Sequence, residues 1–213
     1  MRVSSLTGSE KLWSSFWIIL VFVFALFGFA DPMRAFSFSD AFFSLSSLDT
    51  VFLLSAIILI SITFILGPLV RLNKKFENYY AFRRSFGLAG FSLLLLHLMY
   101  LLFFVYNILS LDLSPEFSAD QNLLAFVLGI IGVAVFYVMG ITSGDRAVNS
   151  IGFEWWKKIH TAGYIGLAFL LLHIFVLESS KGDFLNLNPI VLFAFFLGLF
   201  AMVFRAVLPL LKK

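Results

Sequence analysis

The run IHTAGYIGLAFLLLHIFVL, residues 159–177, decides the fold class of this chain. It contains no Lys, Arg, Asp or Glu, and its 19 residues are close to the roughly 20 that a helix needs to cross a bilayer. Long apolar runs of this kind differ from the short alternating segments of a membrane β-barrel. We therefore predict an all-α protein, a six-transmembrane-helix bundle whose other spans are residues 12–30, 51–70, 85–109, 123–141 and 190–208.

The composition agrees with a chain that lies mostly in lipid. Hydrophobic residues make up 61% and charged residues only 13%, and the mean hydropathy is +1.01. The absence of cysteine excludes disulfides, thiolate chemistry and iron–sulfur ligation. Six spans in 213 residues leave no room for a separate flavin or nucleotide domain, so residues 1–213 are predicted to form a single membrane domain. The net charge of +3 belongs mainly to loops between spans, and no nucleic-acid partner is expected.

The distribution of basic residues predicts the orientation, because Lys and Arg near span ends stay on the cytoplasmic side. The even-numbered loops and both termini hold 13 of the 15 basic residues, which predicts cytoplasmic termini in a multi-pass protein of the cell inner membrane. An alternative for residues 12–30 is a secretory signal that is cleaved before Asp31, which would leave five spans oriented as before. The 13 are Arg2, Lys11, Arg71, Lys74, Lys75, Arg83, Arg84, Arg146, Lys157, Lys158, Arg205, Lys212 and Lys213.

The three histidines of the chain all lie inside the third and fifth spans, where ionisable side chains are costly and become functional candidates. At about 1.5 Å per residue, His97 lies about 20 Å beyond Arg84 and His173 about 24 Å beyond Lys157, so the two share a depth. By the same rise, His160 lies about 20 Å from His173, too far to ligate the same metal. Paired imidazoles from two helices can ligate a heme iron on both faces, which makes His97 and His173 the predicted pair.

Each of these two histidines has a glycine seven residues earlier, Gly90 before His97 and Gly166 before His173. Seven residues are two helical turns on one face, about 10 Å of helix on which a macrocycle edge could rest. Close packing of helices through small residues explains the same spacing equally well. Both explanations stay open at this point.

Two stretches carry a family resemblance, RRSFGLAGFSLLLLHLMYLLFF at 83–104 and ITSGDRAVNSIGFEWWKKIHTAGYIGLAFLLLHIF at 141–175. The double Arg before an apolar run with His, and the Gly-aromatic-x-W-K-x-x-H run with a second His 13 residues on, resemble the ferric reductase-like transmembrane domain family. Within that family the chain is most similar to the heme-binding membrane subunit of the bacterial periplasmic methionine sulfoxide reductase system. The resemblance covers about 83–177, which becomes the expected heme-binding core, whereas residues 1–70 resemble no known family.

The resemblance implies a membrane domain that carries b-type heme and passes electrons across the bilayer. Its ligand positions carry over onto His97, His160 and His173, the expected iron-binding residues. The related NADPH oxidases have a further histidine in the third span, where this chain has Arg83 and Arg84. One heme b is therefore expected, and a second group near His160 stays open between a heme with a non-histidine ligand and FMN.

The expected function is an electron relay from a cytoplasmic flavin reductase or quinol to an extracytoplasmic redox protein or small acceptor, with a sulfoxide reductase partner among the candidates. It is expected to be an electron-transfer subunit rather than a complete enzyme. Arg83 and Arg84 flank the predicted site near His160. They could pair with phosphate or propionate there, or they could only determine topology and contact anionic lipid. The alternatives are a ferric or metal reductase, a proton or cation transporter that uses the intramembrane histidines, and a scaffold without cofactor.

Overall fold

Every element that the structure describes is a helix, which confirms the all-α prediction. The structure is a computed structural model that describes residues 8–29, 45–79, 82–102, 120–179 and 188–208. The α-helices are α1 (Gly8–Phe29), α2 (Leu45–Leu72), α3 (Phe82–Tyr100), α4 (Asp120–Ile141), α5 (Asp145–Ile151), α6 (Phe153–Ser179) and α7 (Pro189–Val207), with a 3-10 helix at Lys74–Tyr79.

Four helices are long and apolar enough to cross a membrane, so the chain is a multi-pass membrane protein. They correspond to the second, fourth, fifth and sixth predicted spans. For the first span, the apolar part with described side chains is Trp13–Val23, which is shorter than a bilayer crossing. The third span is described as far as residue 102, and residues 103–109 lie outside the described residues. The count of six and the cytoplasmic termini therefore stay predictions. The four segments are Asp49–Leu72, Leu123–Ile141, Phe153–Ser179 and Pro189–Val207.

The bundle is built from two closely packed helix pairs, α2 with α3 and α4 with α6. Glycines allow the backbones in each pair to approach. A Cβ added to Gly90 of α3 would lie 2.9 Å from Cγ1 of Ile60 on α2, and one added to Gly132 of α4 would lie 3.3 Å from the carbonyl oxygen of Gly166 on α6. Such close approach through small residues is the usual way in which membrane helices gain packing energy. Helix α7 completes the core against α2 and α6, and α1 lies against α2.

Pro68 lies inside α2 and removes one backbone hydrogen bond from that helix. Proline has no N–H, so the carbonyl oxygen four residues earlier, on Phe64, lacks its usual helical donor. The hydroxyl of Tyr164 on α6 donates to this oxygen over 3.2 Å, and the Tyr164 and Phe64 rings stack with centroids 4.3 Å apart. The Tyr164 side chain thus supplies the donor that the Phe64 carbonyl lacks, and it links α6 of one helix pair to α2 of the other.

Replacing Tyr164 by Phe should lower the free energy of unfolding by about 1 kcal/mol, because the ring contact stays and one interhelical hydrogen bond is lost. Unfolding of the detergent-solubilised protein, followed by circular dichroism, measures the change. Tyr137→Phe is the matched control, since Tyr137 is a half-exposed α4 residue. Equal unfolding midpoints for both variants would show that the Tyr164 hydroxyl contributes no stability.

Basic residues gather at one end of the bundle, which we call the basic end. The guanidinium carbon of Arg83 lies 3.3 Å from the position of an added Cβ on Gly67, and Arg84 Nη1 lies 3.5 Å from Asp145 Oδ1. Arg71 and Arg205 are, with Arg83, close enough to Tyr164 to act electrostatically on its hydroxyl. The ends of α2 and α7 therefore meet the starts of α3 and α5 at a single basic face.

Candidate functional site

His97 and His173, which the rise per residue places at one depth, are neighbours in the folded protein. Their ring centroids are 6.1 Å apart and the ring planes are inclined at 72°. His97 belongs to α3 and His173 to α6, so they face each other across the seam between the two helix pairs. Both residues are buried, with 6% and 4% of their surface exposed.

The ring of His173 is oriented by a backbone carbonyl. Its Nδ1 lies 2.7 Å from the oxygen of Ala125 on α4. A carbonyl oxygen can only accept a hydrogen bond, so Nδ1 carries the hydrogen and Nε2 of the neutral ring keeps its lone pair. This Nε2 is buried without a hydrogen-bond partner. An orphaned buried acceptor is costly, and a metal ion is a chemically suitable partner for it.

The ring of His97 is oriented by Asp49, at the start of the membrane-spanning part of α2. Its Nδ1 lies 3.3 Å from the Asp49 backbone oxygen and 2.6 Å from the side-chain Oδ1. The two contacts differ in kind: the longer one has hydrogen-bond geometry, whereas Oδ1 makes no hydrogen bond and approaches off the N–H axis. Both atoms are acceptors, so Nδ1 of neutral His97 again carries the hydrogen and Nε2 is left for a ligand.

The two rings are near enough for one metal ion to bind both, since metal–nitrogen bonds are about 2.0 Å long. Among the described residues, no group of three His or carboxylate side chains is placed to hold a metal ion unaided. A porphyrin supplies the other four nitrogens itself, so two histidines are sufficient protein ligands.

An apolar cavity lies beside the two rings at the seam. It is lined by His97 and His173 together with residues of all four paired helices, among them Leu53, Leu94 and Phe126. Its volume of about 20 Å³ accommodates about one water molecule. The donor atoms and the apolar lining suit a porphyrin.

Gly129 of α4 is a site residue that the sequence argument missed. A Cβ at this position would lie 3.0 Å from Nδ1 and 3.2 Å from Cε1 of His173. The absence of a side chain therefore lets α4 bring the Ala125 carbonyl against the imidazole. The signal was present in the sequence, since Gly129 and Gly132 form a G-x-x-G pattern that matches Gly163 and Gly166 on the facing helix.

Gly90 and Gly166 face neighbouring helices. A Cβ on Gly166 would lie 2.9 Å from Cγ1 of Val135, much as Gly90 meets Ile60. Neither glycine lines the cavity between the histidines. In this structure the two glycines let neighbouring helices pack closely, which is one of the two explanations of their spacing. The other explanation, a place beside a macrocycle edge, stays a prediction.

His160 lies apart from the other two histidines. Its ring is 4.3 Å from that of Trp156, whose indole N–H donates to the Thr142 carbonyl over 3.1 Å. The Nε2 atom of His160 is buried without a hydrogen-bond partner. His160 is absent from the residues around the cavity, so the structure holds one histidine pair and one separate histidine.

The two arginines ahead of the third span differ in their surroundings. Arg83 packs over Gly67 and is near enough to His160 to act on it electrostatically. Arg84 is exposed and paired with the equally exposed Asp145. Only Arg83 is therefore placed to influence a group near His160, and the predicted contact of either arginine with phosphate or propionate stays a prediction.

Comparison with known families supplies one match. The sequence profile described as ferric reductase like transmembrane component matches residues 52–176, more than half of the chain. The match includes both paired histidines and His160. It begins well before residue 83, so the expectation that residues 1–70 resemble no family is wrong for 52–70. The apolar sequence of α2 carries no conspicuous motif, and in the structure this helix packs along α3.

Proposed function

This chain belongs to the ferric reductase-like transmembrane family, and from that premise we propose that it is a b-type heme protein that relays electrons across the inner membrane. The observation that carries the proposal is the buried pair His97 and His173, 6.1 Å apart at their ring centroids. Both rings have Nδ1 held by an acceptor, which leaves Nε2 for iron. This arrangement of an oriented imidazole with a second partner is typical of metal-ligating histidines.

His97 and His173 would hold the iron, and no other described side chain is needed as a protein ligand. Heme b, when bound, supplies an iron that gains and loses one electron. The Nδ1–H contacts keep each imidazole in one tautomer and one orientation. The lining of the seam is mostly apolar, so a change of charge there is poorly screened.

The proposed direction of transfer runs from the basic end toward the histidine pair. The concentration of Arg and Lys supports a cytoplasmic position for the basic end. A flavin reductase or quinol would donate electrons there, and an extracytoplasmic redox protein, such as a sulfoxide reductase, or a small acceptor would receive them. The chain would thus be the electron-transfer subunit of an oxidoreductase system.

A second redox group near His160 is part of the proposal. Its support is the partnerless buried Nε2 of His160, the neighbouring ring of Trp156 and the nearby charge of Arg83. His160 precedes His173 by 13 residues, about 20 Å along one helix, a gap that an intermediate carrier would divide. The group would be a heme with a non-histidine ligand or an FMN whose phosphate contacts Arg83.

The test is a reduced-minus-oxidised absorbance spectrum of the full chain, purified after expression with ample heme. The proposal expects heme bands that sharpen and shift on dithionite reduction. A colourless, folded preparation would refute it.

A ferric reductase that delivers electrons to ferric iron itself is the second candidate, and the description of the matching family favours it. Mixing the dithionite-reduced protein, freed of excess reductant, with a ferric chelate distinguishes the two. Rapid return of the oxidised spectrum supports the ferric reductase, whereas a stable reduced spectrum supports a relay to a protein acceptor.

A further inference from the structure

The two paired histidines have chemically different partners. His173 Nδ1 donates to the neutral carbonyl of Ala125. His97 Nδ1 meets both the carbonyl and the carboxylate of Asp49, with Oδ1 at 2.6 Å. Of the two imidazoles, His97 therefore has a carboxylate beside its Nδ1, whereas His173 has a neutral carbonyl.

Asp49 is an unusual residue for its position. Its side chain is 15% exposed and begins a membrane-spanning segment, and its Oδ1 is enclosed without a hydrogen bond of good geometry. A carboxylate enclosed in this way is expensive unless a specific partner compensates it. The other titratable groups that its charge reaches are His173 and Tyr100, but His97 is the side chain in direct contact.

We propose that Asp49 is a positioning residue that acts through His97 to lower the reduction potential of the bound iron. This inference rests on the proposed function. The carboxylate charge 2.6 Å from Nδ1 polarises the imidazole and leaves more electron density on Nε2, which makes His97 a stronger ligand. A stronger anionic donor stabilises ferric iron more than ferrous iron, so the site releases its electron more readily.

The asymmetry also assigns different roles to the two ligands. His173, with a neutral partner supplied by backbone, provides a fixed ligand that side-chain substitution at Ala125 cannot remove. His97, with a charged side-chain partner, provides the adjustable one. The potential is therefore expected to respond to residue 49 far more than to the other carboxylates whose side chains the structure describes.

The experiment is a potentiometric titration of the purified heme protein carrying Asp49→Asn, which keeps the size and an oxygen acceptor but removes the charge. The ratio of ferrous to ferric heme at a given potential should rise about tenfold, because ferric iron loses more from the weaker ligand than ferrous iron does, and an outer-shell partner changes metal affinity about 10–100-fold. For a one-electron couple this is an upward shift of about 59 mV. Asp145→Asn makes the same chemical change at the exposed Arg84 contact and should leave the potential unchanged.

Asp49→Glu, which keeps the charge, separates charge from packing. A Glu variant with the wild-type potential beside an Asn variant with a raised potential supports the proposal, since the charge is then what lowers the potential. Loss of heme from both variants, or an Asn variant with the potential of Asp145→Asn, overturns it. A colourless wild-type protein refutes the proposed function, whereas a heme-bearing wild type whose potential is insensitive to Asp49 refutes this inference alone.

Discussion

Replacing His173 by Ala should remove the heme proposed at the histidine pair from the purified protein. The imidazole is buried, and apart from His97 the described side chains that line the cavity are apolar, so none of them can take its place as a ligand. Loss of an outer-shell partner alone costs about 10–100-fold in metal affinity, and loss of the ligand itself should exceed that. His97→Ala should have the same effect. The ratio of heme to protein, measured from the reduced absorbance spectrum, quantifies both.

His160→Ala is the matched control for these two variants. It removes an intramembrane imidazole from the same helix as His173, but at a position that does not line the cavity. The heme proposed at the histidine pair should therefore persist, and only signals from a second group near His160 should disappear. Equal loss of heme in all three variants, with helix content unchanged by circular dichroism, would contradict the separation of the histidines into a pair and a single residue.

Replacing Gly166 by Val should destabilise the bundle by about 3 kcal/mol, the upper part of the range for overpacking a well-packed core. Even a Cβ at this position would lie 2.9 Å from Val135 and 3.1 Å from Phe136, so the larger side chain must push α4 away from α6. Gly90→Val should act in the same way on α2 and α3. The free energy of unfolding in detergent, measured for apoprotein and heme-loaded protein, reports the change.

Gly144→Val is the control, because a Cβ there meets nothing within 4 Å and the glycine has an ordinary extended backbone. The same variants distinguish the two explanations of the glycines. A packing role predicts loss of stability with and without heme. A folded, stable Gly166→Val apoprotein that no longer takes up heme would instead show that the glycine makes room for the macrocycle.

The sequence was sufficient to predict the features that depend on one helix at a time. Apolar length identified four spans that the structure confirms, and the rise per residue placed His97 and His173 at one depth. These quantities follow from helix geometry and the thickness of the bilayer, and no knowledge of neighbouring helices is required.

Features that depend on contact between helices were not predictable in the same way. Asp49 was only one of several acids at span ends, and Ala125 carried no chemical signal, because its contribution is a backbone oxygen. Both lie 48 residues before the histidine that they orient, and only the packing of the helix pairs brings them there. The Tyr164 contact was partly predictable. Pro68 indicates that the Phe64 carbonyl lacks its helical donor, but it does not indicate which side chain replaces that donor.

The histidine pair and the basic end lie at different levels of the bundle, and this separation has an electrical consequence for the proposed relay. An electron that travels from the basic end toward the pair carries negative charge outward across part of the membrane voltage. In a cell whose interior is negative, that movement is downhill and releases about 2.3 kcal/mol per 100 mV that the charge crosses. The membrane potential would thus drive electrons outward through this protein and oppose their return.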